Sequence, residues 1–391
     1  MEHVINPERL PTGVRGQFSL DPMNSPTLPS RYYTDPAIYE LEMRHIHRKT
    51  WCYVGHVADV AKPGMYFTDL VGEQPIVVVR GDDEVIRCFY NICQHRGHEL
   101  LKGAGQLQSK AMTCPYHAWM YRLDGRLARA PQTEHVGGFD KSQFSLKSIH
   151  LAVAAGLIFV NLDPDCRPFE EEMEGFADSV SQFLPDCPDF VVAERLHYDI
   201  NADWKTVVDN FSEAYHIPIA HPKLAQVLEQ EMEELIEKPR WMFNRYHSKT
   251  GFPGLELEYG SPYYAWQAWP HYGALSLPGS RNLIVLRFGP GGVEKCAERA
   301  DILTPAGETD NPKLAAVRDL FMHMFNIEDI GICESVQRGL RSQGYDQGRY
   351  ICDQGNSWFT EIQLHWFHTQ VLEALEKGAA AEQRAANGQD A

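Results

Sequence analysis

The sequence predicts an α+β chain of two domains, a small all-β domain followed by a larger one that mixes helix and strand. Three observations carry this. At 391 residues the chain is long for one hydrophobic core and comfortable for two. Its composition, 43% hydrophobic and 23% charged, is that of an ordinary globular protein. Its texture also changes along its length. Short β-branched and aromatic runs broken by Gly, Asp and Pro occupy Trp51 to about Leu162; beyond them come helical spacing, a strand-rich stretch and helix again.

In chain order, residues 1–35 are rich in Pro and Ser with few periodic apolar positions, and predict an irregular arm. "DPAIYELEMRHIHRKTW" has helical spacing at Ile38, Leu41 and Ile46 behind an Asp35-Pro36 start signal. "QPIVVVRG", "VIRCFYNIC" and "GLIFVNL" are strands of the all-β domain. "DPDCRPFEEEMEGFADSVSQFL" returns to helix, and "RLHYDINADWKTVVDNFSEAYHIPIAHP" predicts a strand, a turn and a helix stopped near Pro218. Residues 255–305 are strand-rich, with "RNLIVLRFGPGG" the clearest case; helix dominates from Asn311, and the tail "KGAAAEQRAANGQDA" predicts a frayed end. The expected division is an arm and helix at 1–45, the all-β domain at 46–162 and the mixed domain at 163–391.

The net charge of −17 argues against nucleic acid as a partner, which needs a basic face; it permits a cationic substrate or a basic electron-transfer partner, and solubility alone also accounts for it. No run of about 18 apolar residues suggests a membrane span, and "MEHVINPERLPTG" has no secretory pattern, so the expected compartment is the cytoplasm. Nine cysteines are too sparse for a disulfide framework in a chain of this length; where Cys and His cluster, metal is the expectation.

One cluster is "YNICQHRGHEL", with Cys93 and His95, matched by "CPYH", with Cys114 and His117, eighteen residues (96–113) further on. Two thiolates and two imidazoles can hold zinc or a two-iron, two-sulfur cluster. The mixed order, Cys-His then Cys-His, lets each loop give one ligand to each of two irons, whereas zinc fingers group Cys with Cys and His with His. The flanks "CQHRGHEL" and "CPYHAWMYRLDGRLARAP" resemble the two cluster loops of Rieske ring-hydroxylating oxygenases, except that Ala118 stands where that family usually has Gly. His98 fits a position behind or beside the cluster rather than a fifth ligand.

A second constellation lies in "DWKTVVDNFSEAYHIPIAH" (203–221). His216 and His221 are five apart, roughly 140° around an ideal helix, so they converge only if Pro218 breaks the helix between them. Two histidines and one carboxylate on one face of an iron form the facial triad of non-haem Fe(II) oxygenases. Asp209, Glu213 and His216, at i, i+4 and i+7, would share a helix face. The stretch resembles the catalytic motif of the oxygenase α subunits, including Trp204-Lys205 and Asn210. The resemblance implies a catalytic domain with an antiparallel sheet covered by helices, of the helix-grip type. It assigns the third ligand to Asp329 in "NIEDIGICESVQRGLRSQGY", with Glu328 its nearest rival. It also gives Glu213, with Asn210 and Asp209 near it, a catalytic part: Glu213 would link His216 to the cluster ligand His117 of the partner subunit, which implies a homotrimer.

The resemblance implies a terminal oxygenase component with a Rieske 2Fe-2S cluster and a mononuclear Fe(II), using O2. No G-x-G-x-x-G opens a helix after a strand, and the glycines of "RFGPGGVEK" lack that context, so electrons need an NAD(P)H-dependent flavin/iron-sulfur reductase. The segment "EDIGICESVQRGLRSQGYDQGRY" resembles the branch acting on quaternary ammonium compounds: choline, glycine betaine, stachydrine and carnitine oxygenases. The expected reaction is hydroxylation or N-demethylation of a small betaine-like compound; an aromatic ring hydroxylase is the alternative, and an electron carrier without catalysis a remote one. Among Trp241, Tyr263, Tyr264, Trp266, Trp269, Tyr272, Trp358, Phe359 and Trp366, two or three are expected around the ammonium. Arg281 or Arg287 is the candidate partner for a substrate carboxylate.

Overall fold

The computed structural model describes residues 18–229, 232–249, 259–353, 355 and 357–387. They fold as two compact units: one comprises Arg48–Glu194 with Leu303–Ala306; the other takes the chain up to His47, Arg195–Ile302 and the chain from Gly307.

In the first unit a seven-stranded sheet runs in the order Cys52–His56, Leu157–Asn161, Ser148–Ala154, Ile86–Tyr90, Gln74–Arg80, Met65–Val71, Ala104–Gln106. Each neighbouring pair is antiparallel. Gln74–Arg80 is buried on both faces, which is why its sequence is a continuous Val/Ile run rather than an alternating one. Ile76 and Val78 pack with Phe67 and Ile158 on one side; Val77 and Val79 pack with Phe89, Met112 and Tyr121 on the other. A three-stranded antiparallel sheet, Ala111–Thr113, Met120–Arg122 and Leu127–Arg129, completes this second side.

Residues 163–194, which the sequence suggested would join the C-terminal domain, belong to this β-rich unit. Aromatic packing decides it. Phe169 lies edge-on to Trp51 at 5.5 Å, and Phe159 contacts Phe169 and Phe176 at 4.9 and 5.7 Å. The imidazole of His56, fully buried, donates from Nε2 to the Cys187 carbonyl at 3.0 Å.

The second unit is built on a sheet in the order Phe190–Ile200, Lys295–Pro305, Leu283–Gly292, Tyr272–Ser276, Pro262–Ala268, Trp241–His247, Glu234–Glu237. From Leu283–Gly292 to Glu234–Glu237 the pairing is antiparallel throughout. The helix Trp204–Phe211 packs against the strand Leu283–Gly292 and against the helix Asn326–Leu340. This is the sheet-and-helix arrangement the motifs implied. The C-terminal helix runs Ile362–Ala386 instead of fraying at Lys377. Glu382 explains the extension: its carboxylate takes Arg44 Nε at 3.0 Å and His45 Nε2 at 2.8 Å.

One helix end departs from the sequence expectation. The helix carrying Asp209 stops at Phe211, capped by Ser212, so Asp209 and Glu213 share no helix face. Pro218 opens a new short turn, Ile217–Ala220, rather than closing the old helix, and Pro222 opens the next, Pro222–Val227. Proline is at home in a first turn because the N–H it lacks would have no partner there.

Candidate metal and substrate centres

In the β-rich unit, Cys93 and Cys114 each head a tight loop of the same build. Cys93 N–H donates to the His98 carbonyl at 2.8 Å and its own carbonyl accepts from Gly97; Cys114 N–H donates to the Trp119 carbonyl at 2.8 Å and its carbonyl accepts from Ala118. The fourth residue after each cysteine is left-handed: Gly97 at φ +72 and Ala118 at φ +55. The departure from glycine at 118 is therefore accommodated, at a cost of roughly 1–2 kcal/mol.

The two thiols are buried at 2% exposure in one hydrophobic cluster, while the two imidazoles, both exposed, sit at 4.6 Å centroid to centroid. Sulfur is thus grouped with sulfur and nitrogen with nitrogen, one pair inside and one outside. A single tetrahedral zinc would bring all four donors to within about 4 Å of one another. Among the described residues, only His216, His221 and Asp329 form a group of three or more such donors lying within 4.8 Å of one another. The loop pair therefore fits a two-metal cluster with sulfur on one iron and nitrogen on the other. Desolvation, then His117 and Arg96 nearby, hold His95 below its ordinary pKa, which keeps the imidazole neutral as a ligand must be. Tyr121 supports the sulfur end, its hydroxyl 3.3 Å from Cys93 Sγ while accepting from the Gln94 N–H at 2.9 Å. His98 is exposed.

In the second unit, the turns begun by Pro218 and Pro222 bring His216 and His221 together, their ring centroids 5.3 Å apart. Asp329, on the helix Asn326–Leu340, completes the group: its Oδ1 lies 2.8 Å from His221 Nε2 and 3.5 Å from His216 Nε2. Each imidazole is held from behind by a carboxylate. His216 Nδ1 donates to Glu213, whose other oxygen accepts the His216 backbone N–H at 3.1 Å; His221 Nδ1 donates to Glu328 at 2.6 Å. This fixes the tautomers, so both Nε2 atoms face Asp329. Burial pulls the pKa of His216 down, but Asp329 and Glu213 outweigh it and lift the group to about 9. Burial likewise raises Asp329, and the hydrogen bonds of His216 and His221 bring it below the ordinary carboxylate value. The carboxylates are drawing positive charge into a space that a divalent cation would fill with both imidazoles neutral. Two nitrogens and one oxygen with carboxylate-backed histidines suit iron.

Asn210 donates from Nδ2 to Asp329 Oδ1 at 3.2 Å and lines the adjoining cavity. Asp209, grouped with Asn210 and Glu213 by sequence, does not line it. It accepts from Tyr33 Oη and from His368 Nε2, both at 2.8 Å, and His368 Nδ1 meets the Tyr350 hydroxyl, forming a buried hydrogen-bond network. Helical rotation places neighbours 209 and 210 about 100° apart, so one faces the cavity and the other the packed interior.

The cavity beside the triad has a water-accessible interior of about 120 Å³, against ~10–15 Å³ for one water, so it takes a small organic molecule. Of the aromatics singled out by sequence, Tyr263, Trp266 and Trp358 reach it, joined by Phe211, Tyr246, Phe288, Phe321 and Phe325. Trp241, Trp269 and Tyr272 are core residues outside it. Neither Arg281 nor Arg287 lines it; Arg281 pairs outside with Glu308 at 2.8 Å, with its side chain 59% exposed. No Lys or Arg occurs among the described residues of the wall. Gln267, Asn244, Gln363, Glu298 and Cys333, which the sequence did not single out, do occur there. They sit in strands or helices whose patterns mark only burial; convergence on one cavity is visible only once those elements are packed.

Comparison with known proteins agrees with this geometry. Residues 50–145 match the Rieske [2Fe-2S] domain, and residues 188–377 match the ring hydroxylating alpha subunit (catalytic domain). The chain is 33% identical over 364 residues to the carnitine monooxygenase oxygenase subunit of Escherichia coli (strain K12), covering 92% of this chain and 96% of that protein. It is 29% identical over 366 residues to the chloroplastic choline monooxygenase of Amaranthus tricolor, covering 89% and 78%. A solved quaternary ammonium Rieske monooxygenase, described as revealing carnitine oxidation by gut microbiota and inter-subunit electron transfer, superposes with a TM-score of 0.86 at 33% identity, covering 92% of this chain and 97% of that one.

Proposed function

This chain belongs to the Rieske ring-hydroxylating oxygenases, and from that membership we propose that it hydroxylates or N-demethylates a small quaternary-ammonium compound. It is an oxidoreductase whose family carries a Rieske 2Fe-2S cluster and a mononuclear iron, and which takes electrons from a partner. The observation that carries the substrate class is the cavity wall: aromatic faces and carboxylates beside the triad, with no Lys or Arg among its described residues. Ring faces and anions attract a cation that cannot donate a hydrogen bond.

When bound, the two centres supply electron transfer and activation of O2 for attack on a C–H bond. In demethylation an N-methyl group, O2, two electrons and two protons give an N-hydroxymethyl group and water; C–N cleavage then yields formaldehyde, the tertiary amine and a proton. This chain's residues set the geometry. Cys93, Cys114, His95 and His117 hold the cluster; His216, His221 and Asp329 hold the iron. Glu213 and Glu328 orient the two iron-binding imidazoles, and Asn210 anchors Asp329 through its Oδ1. The cavity's Trp and Tyr rings exclude water and place the methyl group.

Glu213 has a second part in this reading. As the carboxylate behind His216, it would link that imidazole to His117 of the partner subunit and so bridge the path by which electrons pass between the two centres, which calls for a homotrimer. The electron donor is an NAD(P)H-dependent reductase carrying flavin and an iron-sulfur centre. None of the nine cysteines is paired in a disulfide, in keeping with work in the cytoplasm; no helix among the described residues is long and apolar enough to cross a membrane.

A single turnover tests the proposal. The protein is reduced chemically without air and mixed with betaines, carnitine, choline or simple aromatic acids; oxygen is admitted and products are assayed. Formaldehyde or a hydroxylated product from a quaternary amine is expected. No product from any amine, with a hydroxylated ring from an aromatic acid, would move the enzyme to the ring-hydroxylating class.

A further inference from the structure

One acidic side chain in the cavity wall has no task in the chemistry above. Glu298, on the strand Lys295–Pro305, is 2% exposed and lines the cavity. Its hydrogen bonding consists of one contact, Oε1 accepting from Asn326 Nδ2 at 2.9 Å. Among the described residues no Lys, Arg or His forms an ion pair with it, and it is outside the triad group. The other two carboxylates of the wall are engaged: Glu213 with His216, Asp329 with both imidazoles.

A buried carboxylate with one neutral hydrogen bond is costly to ionise. Burial accordingly pushes Glu298 up to about 7, against the pull of Asn326, with Asp329 adding repulsion. Yet a glutamine would fit the same space and bond the same asparagine without that cost. A carboxylate in the wall of an aromatic cavity that has no Lys or Arg among its described residues is matched by a cation that enters with the substrate and favours its ionised form.

Resting on the quaternary-ammonium reading, we propose that Glu298 is the counter-ion that selects a positively charged head group, with aromatic faces of the same cavity wall as the other attraction. Specificity for a cation over a neutral molecule of the same shape then comes from a fixed charge as well as from ring faces. Glu298 touches the substrate's cationic end and takes no part in holding iron.

The test compares binding of a quaternary-ammonium compound with that of its carbon isostere, in which a quaternary carbon replaces nitrogen. Affinities are measured by calorimetry on the iron-loaded protein and on E298Q and E298D, with iron content determined for each. The wild type is expected to prefer the cation. E298Q should lose about tenfold or more of that preference, with isostere affinity changed less than about twofold and iron retained. E298D, which keeps the charge, should retain the preference even if both affinities shift. An unchanged cation-to-isostere ratio in E298Q overturns the assignment and leaves the substrate reading standing. Equal losses in E298Q and E298D, or loss of iron in both, show a structural role and overturn it also. A wild-type protein that binds the isostere as well as the cation overturns both readings together.

Discussion

Glu328 stands next to a candidate iron ligand and competes with it for that role, so removing it separates the two. In the structure its carboxylate accepts the Nδ1 proton of His221 at 2.6 Å, while Asp329 faces His221 Nε2 at 2.8 Å. Glu328→Ala therefore leaves all three donor atoms in place and removes one support. Supports of this kind are worth about 10- to 100-fold in metal affinity. His221 is 2% exposed but the Glu328 side chain is 45% exposed, so water can take over the hydrogen bond, and the effect falls at the lower end. The expected loss is about tenfold, or about 1.4 kcal/mol. The assay is competition for Fe(II) by a graded chelator, with bound iron measured after gel filtration and the cluster followed by its visible absorbance. The chelator midpoint should move about tenfold while the cluster absorbance stays constant. An unmoved midpoint would mean the His221–Glu328 contact does not tune the metal. A loss as complete as that of Asp329→Ala would mean Glu328 is itself a ligand.

Three further outcomes are expected. Asp329→Ala should lose the mononuclear iron and keep the cluster's colour, whereas Glu213→Ala, loaded in excess Fe(II), should keep both centres and lose turnover; iron analysis beside a turnover assay distinguishes them, and full activity in Glu213→Ala would refute the electron path through that carboxylate. At φ +55, Ala118→Gly should be neutral to about 1 kcal/mol stabilising, left-handed strain relieved against the greater freedom of an unfolded glycine, while Ala118→Val should reduce cluster content, both read by thermal unfolding and absorbance. Lys205, fully buried with Nζ 2.7 Å from Glu42 and 2.6 Å from Asp203, leaves two buried carboxylates behind when changed to Met, so Lys205→Met should destabilise its unit by about 3–5 kcal/mol; an unchanged denaturation midpoint would contradict the pairing.

The chemistry of both centres is legible in the order of residues alone. Cys93-x-His95 and Cys114-x-x-His117 place sulfur and nitrogen on two short loops, and the spacing of His216 and His221 around Pro218 demands a bend; ligand chemistry of this kind is local, written in residue types a few positions apart. Strands such as Gln74–Arg80 were legible for the same reason, since burial on both faces leaves an unbroken apolar run. Packing settled the rest. It stopped the helix at Phe211 and turned Asp209 toward Tyr33 and His368. It placed Glu328 against His221 Nδ1 and outside the His216–His221–Asp329 group, and Glu298 in a cavity wall where no Lys or Arg occurs among the described residues. A side chain's role at these positions depends on which distant element faces it, and Glu298 and Asn326, or His221 and Glu328, are brought together by contacts that no local pattern encodes.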